Sequence, residues 1–262
     1  MILIRMNSNE ENLLDCHLLF FTDIMGGYFI PSLMCELHER VSAWLNDLED
    51  EEAVRQINIA LDIIRECFVR YPLNAVAMAF NGGKDCTVVL HLVRIVVSEI
   101  HATKNISLLK FGVFEHADEF PEIHQFVDEL KLKHGISIVT YPSSYRKGLE
   151  MMYDQGIRAV LMGQRRSDPH GGSLEHFSPC TEGWPDIVRV NPILDWSYST
   201  IWKFLKGLNL DYCILYDQGY SSLGSMKTTK RNPHLGNPDG TFRPACELKD
   251  GDSNERAYRG AS

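Results

Sequence analysis

The chain has 262 residues and a formal net charge of −9, with 26 Lys and Arg against 35 Asp and Glu. Such a balance argues against a general nucleic-acid or anionic-membrane binder, which gains affinity by laying a basic face on phosphates. With 44% apolar and 23% charged residues, the composition is that of an ordinary globular chain, long enough to bury a core without staples.

No stretch approaches the roughly 18 uninterrupted apolar residues of a membrane span. The most apolar early segment, Leu13 to Met34, is broken by Asp15, His17, Asp23, Gly26, Gly27 and Pro31 and lacks the basic flank of a signal peptide. The seven cysteines, Cys16, Cys35, Cys67, Cys86, Cys180, Cys213 and Cys246, contain no C-x-x-C pair. They read as free thiols in a reducing compartment, so a cytoplasmic chain is expected. The ten histidines show no metal-ligand spacing.

Residues 1–74 read as an N-terminal helical extension, and the first 35 carry no recognisable chemistry. Between Glu51 and Tyr71, Val54, Ile57, Leu61, Ile64 and Phe68 recur at spacings of three and four, an amphipathic helix ending before Pro72. From Ala75 the pattern changes. Ala75-Val-Ala-Met-Ala-Phe80 is a short apolar run stopping at a glycine pair, as a buried parallel strand does. A helix over 85–98 follows, then a strand over 108–114. Pro121 opens a helix that Gly135 closes. Further strands are expected at 136–141, 159–162 and 187–191, with a helix over 145–155. Residues 75–262 are therefore expected to form an α/β domain: a mostly parallel sheet with helices on both faces and an irregular C-terminal segment from Asp211. In such sheets ligands bind beyond the carboxyl ends of the strands. The long loop from Gly163 to Trp184 follows the fourth strand and lies at that edge.

The first strand ends in Phe80-Asn81-Gly82-Gly83-Lys84-Asp85-Cys86 and runs directly into a helix. Adjacent glycines let the backbone turn tightly so that N–H groups converge, the helix adds its positive end, and Lys84 adds a point charge. The result suits a di- or triphosphate. It is neither a Walker A loop nor a dinucleotide-binding turn.

This hexapeptide resembles the S-G-G-K-D-S loop of enzymes that cleave ATP between its α- and β-phosphates, with Asn81 and Cys86 in place of the two serines. Within that PP-loop superfamily, thiolation enzymes need C-x-x-C pairs. Sulfonucleotide reductases, which the stretch Gly219–Gly224 resembles, need a C-terminal Glu-Cys-Gly-x-His, where this chain has only Ala245-Cys246-Glu247-Leu248. Over residues 55–259 the chain resembles eukaryotic-type FAD synthases. The elements that carry the resemblance are Asn81–Cys86, Gly163-Gln-Arg-Arg-Ser-Asp168-Pro169, Trp184-Pro-Asp-Ile-Val-Arg189 continuing to Trp196, Tyr216–Gly224, and Glu255-Arg256-Ala257-Tyr258-Arg259.

The resemblance implies attack of the FMN phosphate on the α-phosphorus of ATP, giving FAD and pyrophosphate with Mg2+. It implies that Asn81, Gly82, Gly83, Lys84 and Asp85 hold the ATP phosphates and that the adenine lies near Phe114, although Phe114 as pure core serves equally. Asp168 would hold the metal, Arg165 would face phosphate, and Gln164 would be a further cofactor-binding residue of that loop, although an Asp before Pro also suits a plain turn. Thr181, Trp184, Pro185 and Arg189 would form the flavin site, where Thr181 departs from the Asp expected three residues before the tryptophan. Arg256 and Arg259, in a tail folded over the site, would engage FMN phosphate. The implied partners are ATP and FMN, with apo-flavoproteins receiving the FAD. A sulfonucleotide reductase-like or other PP-loop enzyme and a non-catalytic flavin-nucleotide carrier are the alternatives.

Overall fold

The structure is a computed structural model that describes residues 32–100, 106–114, 118–256 and 258, with side chains from residue 37 onward. The expectations for residues 1–31 and for Arg259 lie outside the described residues.

Helices α1 (Ser32–Asp47) and α2 (Glu51–Arg70) lead into β1 (Val76–Ala79) and α3 (Lys84–Ile100). Then come β2 (Lys110–Phe114), α4 (Pro121–His134), β3 (Ile138–Tyr141), α5 (Tyr145–Asp154) and β4 (Ala159–Leu161). Strands β5 (Phe177–Pro179) and β6 (Val188–Val190) precede α6 (Tyr198–Gly207) and the one-turn α7 (Gly251–Asn254). Helix α2 starts where Asp50 accepts the Ala53 amide, with Glu51 and Glu52 complementing the helix dipole. Helix α4 has the expected Pro start and stops at Gly135 in the left-handed conformation.

The sheet has six strands in the order β3-β2-β1-β4-β6-β5, all neighbours parallel except the β5–β6 pair. Period-two alternation separates its faces. Val76, Met78, Ala159 and Leu161 join the large core formed with α1, α2, α3, α4 and α6, while Ala77 and Val160 meet Leu149 and Met152 of α5 in a smaller cluster. Helices therefore cover both faces, the α/β architecture expected from the strand–helix alternation.

Besides the one-turn α7, two elements were not foreseen. Strand β5 falls inside the 163–184 segment as three residues ending in proline, tolerated because this is the sheet's antiparallel edge. Helix α6 is capped by Ser197, which accepts the Thr200 amide, and buries Ile201, Trp202, Phe204 and Leu205.

The strand order makes β1 the turning point. The chain leaves β1 for β2 and β3 on one side and returns to β4 on the other. The loops after β1 and β4 therefore diverge and leave a crevice at the carboxyl edge of the sheet.

Candidate active site

The turn after β1 is shaped by its own side chains. The Asn81 carboxamide oxygen accepts from the Gly83 amide at 3.0 Å and from the Cys86 thiol at 2.9 Å. Gly82 has φ +72°, and a Cβ there would lie 2.9 Å from Ile123 Cγ2, so only glycine fits. The first intrahelical bond of α3 runs from the Thr87 amide to the Gly83 carbonyl at 3.0 Å. The Asp85 and Cys86 amides thus precede the helical ladder and present the helix's positive end. Gly163, after β4, approaches this end so closely that a Cβ would sit 2.6 Å from the Cys86 nitrogen. The cradle is smaller than expected from the glycine pair, because the Gly83 amide is spent on Asn81 and the Lys84 amide on the Tyr216 hydroxyl at 3.0 Å. Burial pushes the Cys86 thiol up to about 12, so it stays neutral and structural.

A cleft of about 250 Å³ opens at this point. Asn81, Gly83, Lys84, Asp85, Phe114, Gln164, Asp168 and Arg256 among the expected site residues line it. Sequence reasoning missed Tyr145, which stands at the start of α5 and stacks on Phe114 with ring centroids 4.4 Å apart. A flat aromatic wall thus closes one side of the cleft. Phe114 is itself 7% exposed and belongs to the smaller core cluster, so it serves packing and lining together. Gln164 lines the opposite wall and donates to the Pro169 carbonyl at 3.3 Å.

Asp168 is held at both oxygens. One accepts the Arg165 amide at 2.8 Å and the other accepts the Arg256 guanidinium at 3.0 Å. The Arg165 side chain corrects the expectation that it faces phosphate. It is fully buried and turned into a set of carboxylates: Asp85 at 2.9 Å, Asp252 at 3.2 Å and Glu255. Burial works against its charge, but Asp85, Glu255 and Asp168 outweigh that and raise its pKa above the usual arginine value. Lys84 needs the same correction. Its ammonium is 1% exposed and is bound by Asp85 at 2.9 Å and by Glu255. It is a buried anchor rather than a point charge offered to a ligand. Asp85 therefore bridges Lys84 and Arg165; burial alone would raise its pKa, yet these two cations hold it below the usual carboxylate value.

Glu255, which sequence reasoning quoted in the tail but gave no role, is the second hub of this network. Its carbonyl accepts the Ser221 hydroxyl at 2.8 Å, and Asn232 donates to Ser221 at 2.9 Å and to the Asn254 carbonyl at 3.0 Å. These bonds bring the segment through Arg256 over the cleft.

The expected flavin group lies apart. Thr181, Trp184, Pro185 and Arg189 sit around β5 and β6 and do not line the cleft. The Trp184 amide closes a turn on the Thr181 carbonyl at 3.0 Å, its ring packs on the cluster that includes Phe114, and Arg189 donates to the Pro179 carbonyl at 3.1 Å.

Cys246, the residue on which a reductase reading would depend, lines a separate hollow between α6 and the α7 region, and burial raises its pKa. The sequence pattern of the phosphoadenosine phosphosulfate reductase domain matches residues 75–153 and 145–231. A Schizosaccharomyces pombe protein named probable FAD synthase is 41% identical over 209 residues, covering 78% of this chain and 78% of that protein. This chain belongs to the FAD synthase family. The Caenorhabditis briggsae member, also a probable FAD synthase, is 39% identical over 82% of this chain, which spans only 42% of that longer protein. Among solved structures, Candida glabrata FMN adenylyltransferase in complex with FMN and the ATP analogue AMPCPP superimposes with a TM-score of 0.78 at 25% identity, over 86% of this chain and 98% of that one. Among the described residues, no helix is long and apolar enough to cross a membrane.

Proposed function

We propose that this chain is an FMN adenylyltransferase: an oxygen of the FMN phosphate bonds to the α-phosphorus of ATP, the bond to the β-phosphate breaks, and FAD and pyrophosphate leave. The observation that carries this reading is the pairing of two opposed walls at the turning point of the sheet. One is the Asn81–Gly83 turn with the start of α3, suited to phosphates. The other is Asp168 with Arg256, from the loop after β4 and the tail.

Both reactants are anions, so the chain's work is positioning and charge neutralisation. The Asp85 and Cys86 amides and the Asn81 carboxamide would hold the ATP phosphates, and the Phe114–Tyr145 wall would take the adenine. Arg256 would neutralise charge gathering between the two phosphates, a part the family resemblance also implies for Arg259. Among the described residues no three His, Cys, Asp or Glu side chains gather as a metal cage. Mg2+ takes one or two carboxylates and otherwise water and substrate phosphates. Asp168 lines the cleft and would hold such an ion, which supplies charge neutralisation at the phosphates. Trp184, Pro185 and Arg189, with Thr181 in the preceding turn, would receive the flavin ring. The unpaired thiols of Cys67, Cys86, Cys180, Cys213 and Cys246 suit a cytoplasmic enzyme.

The test is purified protein with FMN, ATP and Mg2+, measuring FAD and pyrophosphate. Asn81→Ala and Asp168→Ala are each expected to lower turnover at least ~100-fold, the scale for losing an electrostatic catalytic group. Flavin-nucleotide binding without FAD formation by the wild type would establish the carrier reading instead.

A further inference from the structure

A further cavity, of about 110 Å³, lies away from the cleft and shares no lining residue with it. It sits between α1, the middle of α3, the end of α4 and the segment after α6, and is lined among others by Arg40, His91, Arg94, Lys133, His134 and Asp211. His91 and Arg94 form its buried part, 2% and 7% exposed, on a helix whose other buried residues in this stretch are apolar.

The hydrogen bonding there is incomplete. Arg94 donates to His91 Nδ1 at 2.9 Å, and a guanidinium has no acceptor, so Nδ1 carries the lone pair and the proton lies on Nε2. That buried N–H has no partner, and neither does the buried Nε2 of His134, whose ring stands perpendicular to His91 at 5.8 Å. The charges are also unbalanced. Arg40, Arg94 and Lys133 face one carboxylate, Asp211, which is already paired with Lys133. Arg94 makes no ion pair among the described residues. Burial and the Arg40 charge push it down to about 10, so it remains cationic near neutrality. A buried guanidinium whose nearest carboxylate is already paired with another cation, beside an orphaned donor, is costly, and native interiors rarely keep such groups without a reason.

We propose that this cavity is a binding site for a compact tetrahedral oxyanion of the phosphate or sulfate class, held by Arg94, His91 Nε2 and Arg40. Such an ion supplies the missing counter-charge and accepts the orphaned N–H. The cavity's size suits the bare ion rather than a nucleotide. Arg40 and Lys133 stand exposed at the mouth and leave the site open to solvent.

The experiment follows the His91 and His134 ring resonances of the full chain by NMR, in buffer free of oxyanions. Inorganic phosphate is added, with sulfate and chloride at equal ionic strength as separate arms. Saturable shifts of both rings with phosphate or sulfate, and none with chloride, are expected; the stronger of the two oxyanions identifies the class. Arg94→Met should abolish saturation, and Arg40→Ala, an exposed position that carries the test if Arg94→Met does not fold, should weaken binding about tenfold. Absence of a saturable shift, equal shifts with chloride, or an unchanged response in Arg40→Ala would overturn the proposal.

Discussion

Replacing Glu255 by Gln removes one charge from the network beneath the cleft while keeping shape and hydrogen-bonding capacity. Glu255 is 5% exposed and binds both the Lys84 ammonium and the Arg165 guanidinium, each of them buried. Removing one partner of a buried ion pair costs about 3–5 kcal/mol, mostly through the stranded opposite charge. Asp85 stays 2.9 Å from both cations, so the loss should fall at the lower end, near ~3 kcal/mol. For a chain of this length that lowers the melting temperature by roughly 6–12 °C. Urea unfolding gives the free energy directly. Turnover should fall too, because Arg256 follows Glu255 in the chain and reaches Asp168 only while the tail is seated. Asp252→Asn is the control: Asp252 also pairs with Arg165, but its side chain is half-exposed, and the change should cost less than ~1 kcal/mol. A Glu255→Gln protein within about 0.5 kcal/mol of wild type would refute the argument, since surface-like changes have that size.

Gly163→Ala places a Cβ 2.6 Å from the Cys86 nitrogen, pushing the loop after β4 off the start of α3. The expected result is a KM for ATP raised at least ~10-fold with less change in the KM for FMN; a wild-type KM for ATP would show that this approach is idle. The pH profile offers another check. Burial lowers the pKa of His91 well below its ordinary value and that of His134 to about 3, with Arg94, Lys133 and Arg40 reinforcing this and Asp211 opposing it. The unfolded chain therefore takes up protons, as pH falls below about 6.5, that the folded chain refuses. Stability in oxyanion-free buffer should decline from about pH 7 to about pH 5, with a shallower slope in His91→Gln. An identical slope in that variant would count against the assignment.

The sheet was legible because its central strands are apolar runs bounded by glycine and proline. β1 ends at the Gly82–Gly83 pair, and α4 is bracketed by Pro121 and Gly135. Strand β5 gave no such signal: Phe177-Ser-Pro179 is too short for alternation and owes its place to pairing with β6. The spacing of Ile201, Trp202, Phe204 and Leu205 after the capping Ser197 is itself a helix signal. At the site, local geometry was the easier part. The Asn81–Asp85 turn lines the cleft together with Asp168 and Arg256. What sequence concealed was the assignment of charges. Lys84 and Arg165 look like phosphate ligands until their carboxylate partner is known, and Glu255 lies 171 and 90 positions away. No periodicity relates such residues. Tyr145 escaped for a similar reason, since nothing at the start of a helix says that its ring will meet the end of β2.

That separation also bears on how the chain is made. During synthesis, the sheet and α3 emerge long before residues 252–256. Until the last of these leaves the ribosome, Lys84 and Arg165 share Asp85 as counter-ion, and Asp168 lacks Arg256. The half-made domain must keep these cations hydrated and its nucleotide edge loose. Long-range closures of this kind are slow steps in folding, so the charge network beneath the cleft should close only once the tail is seated.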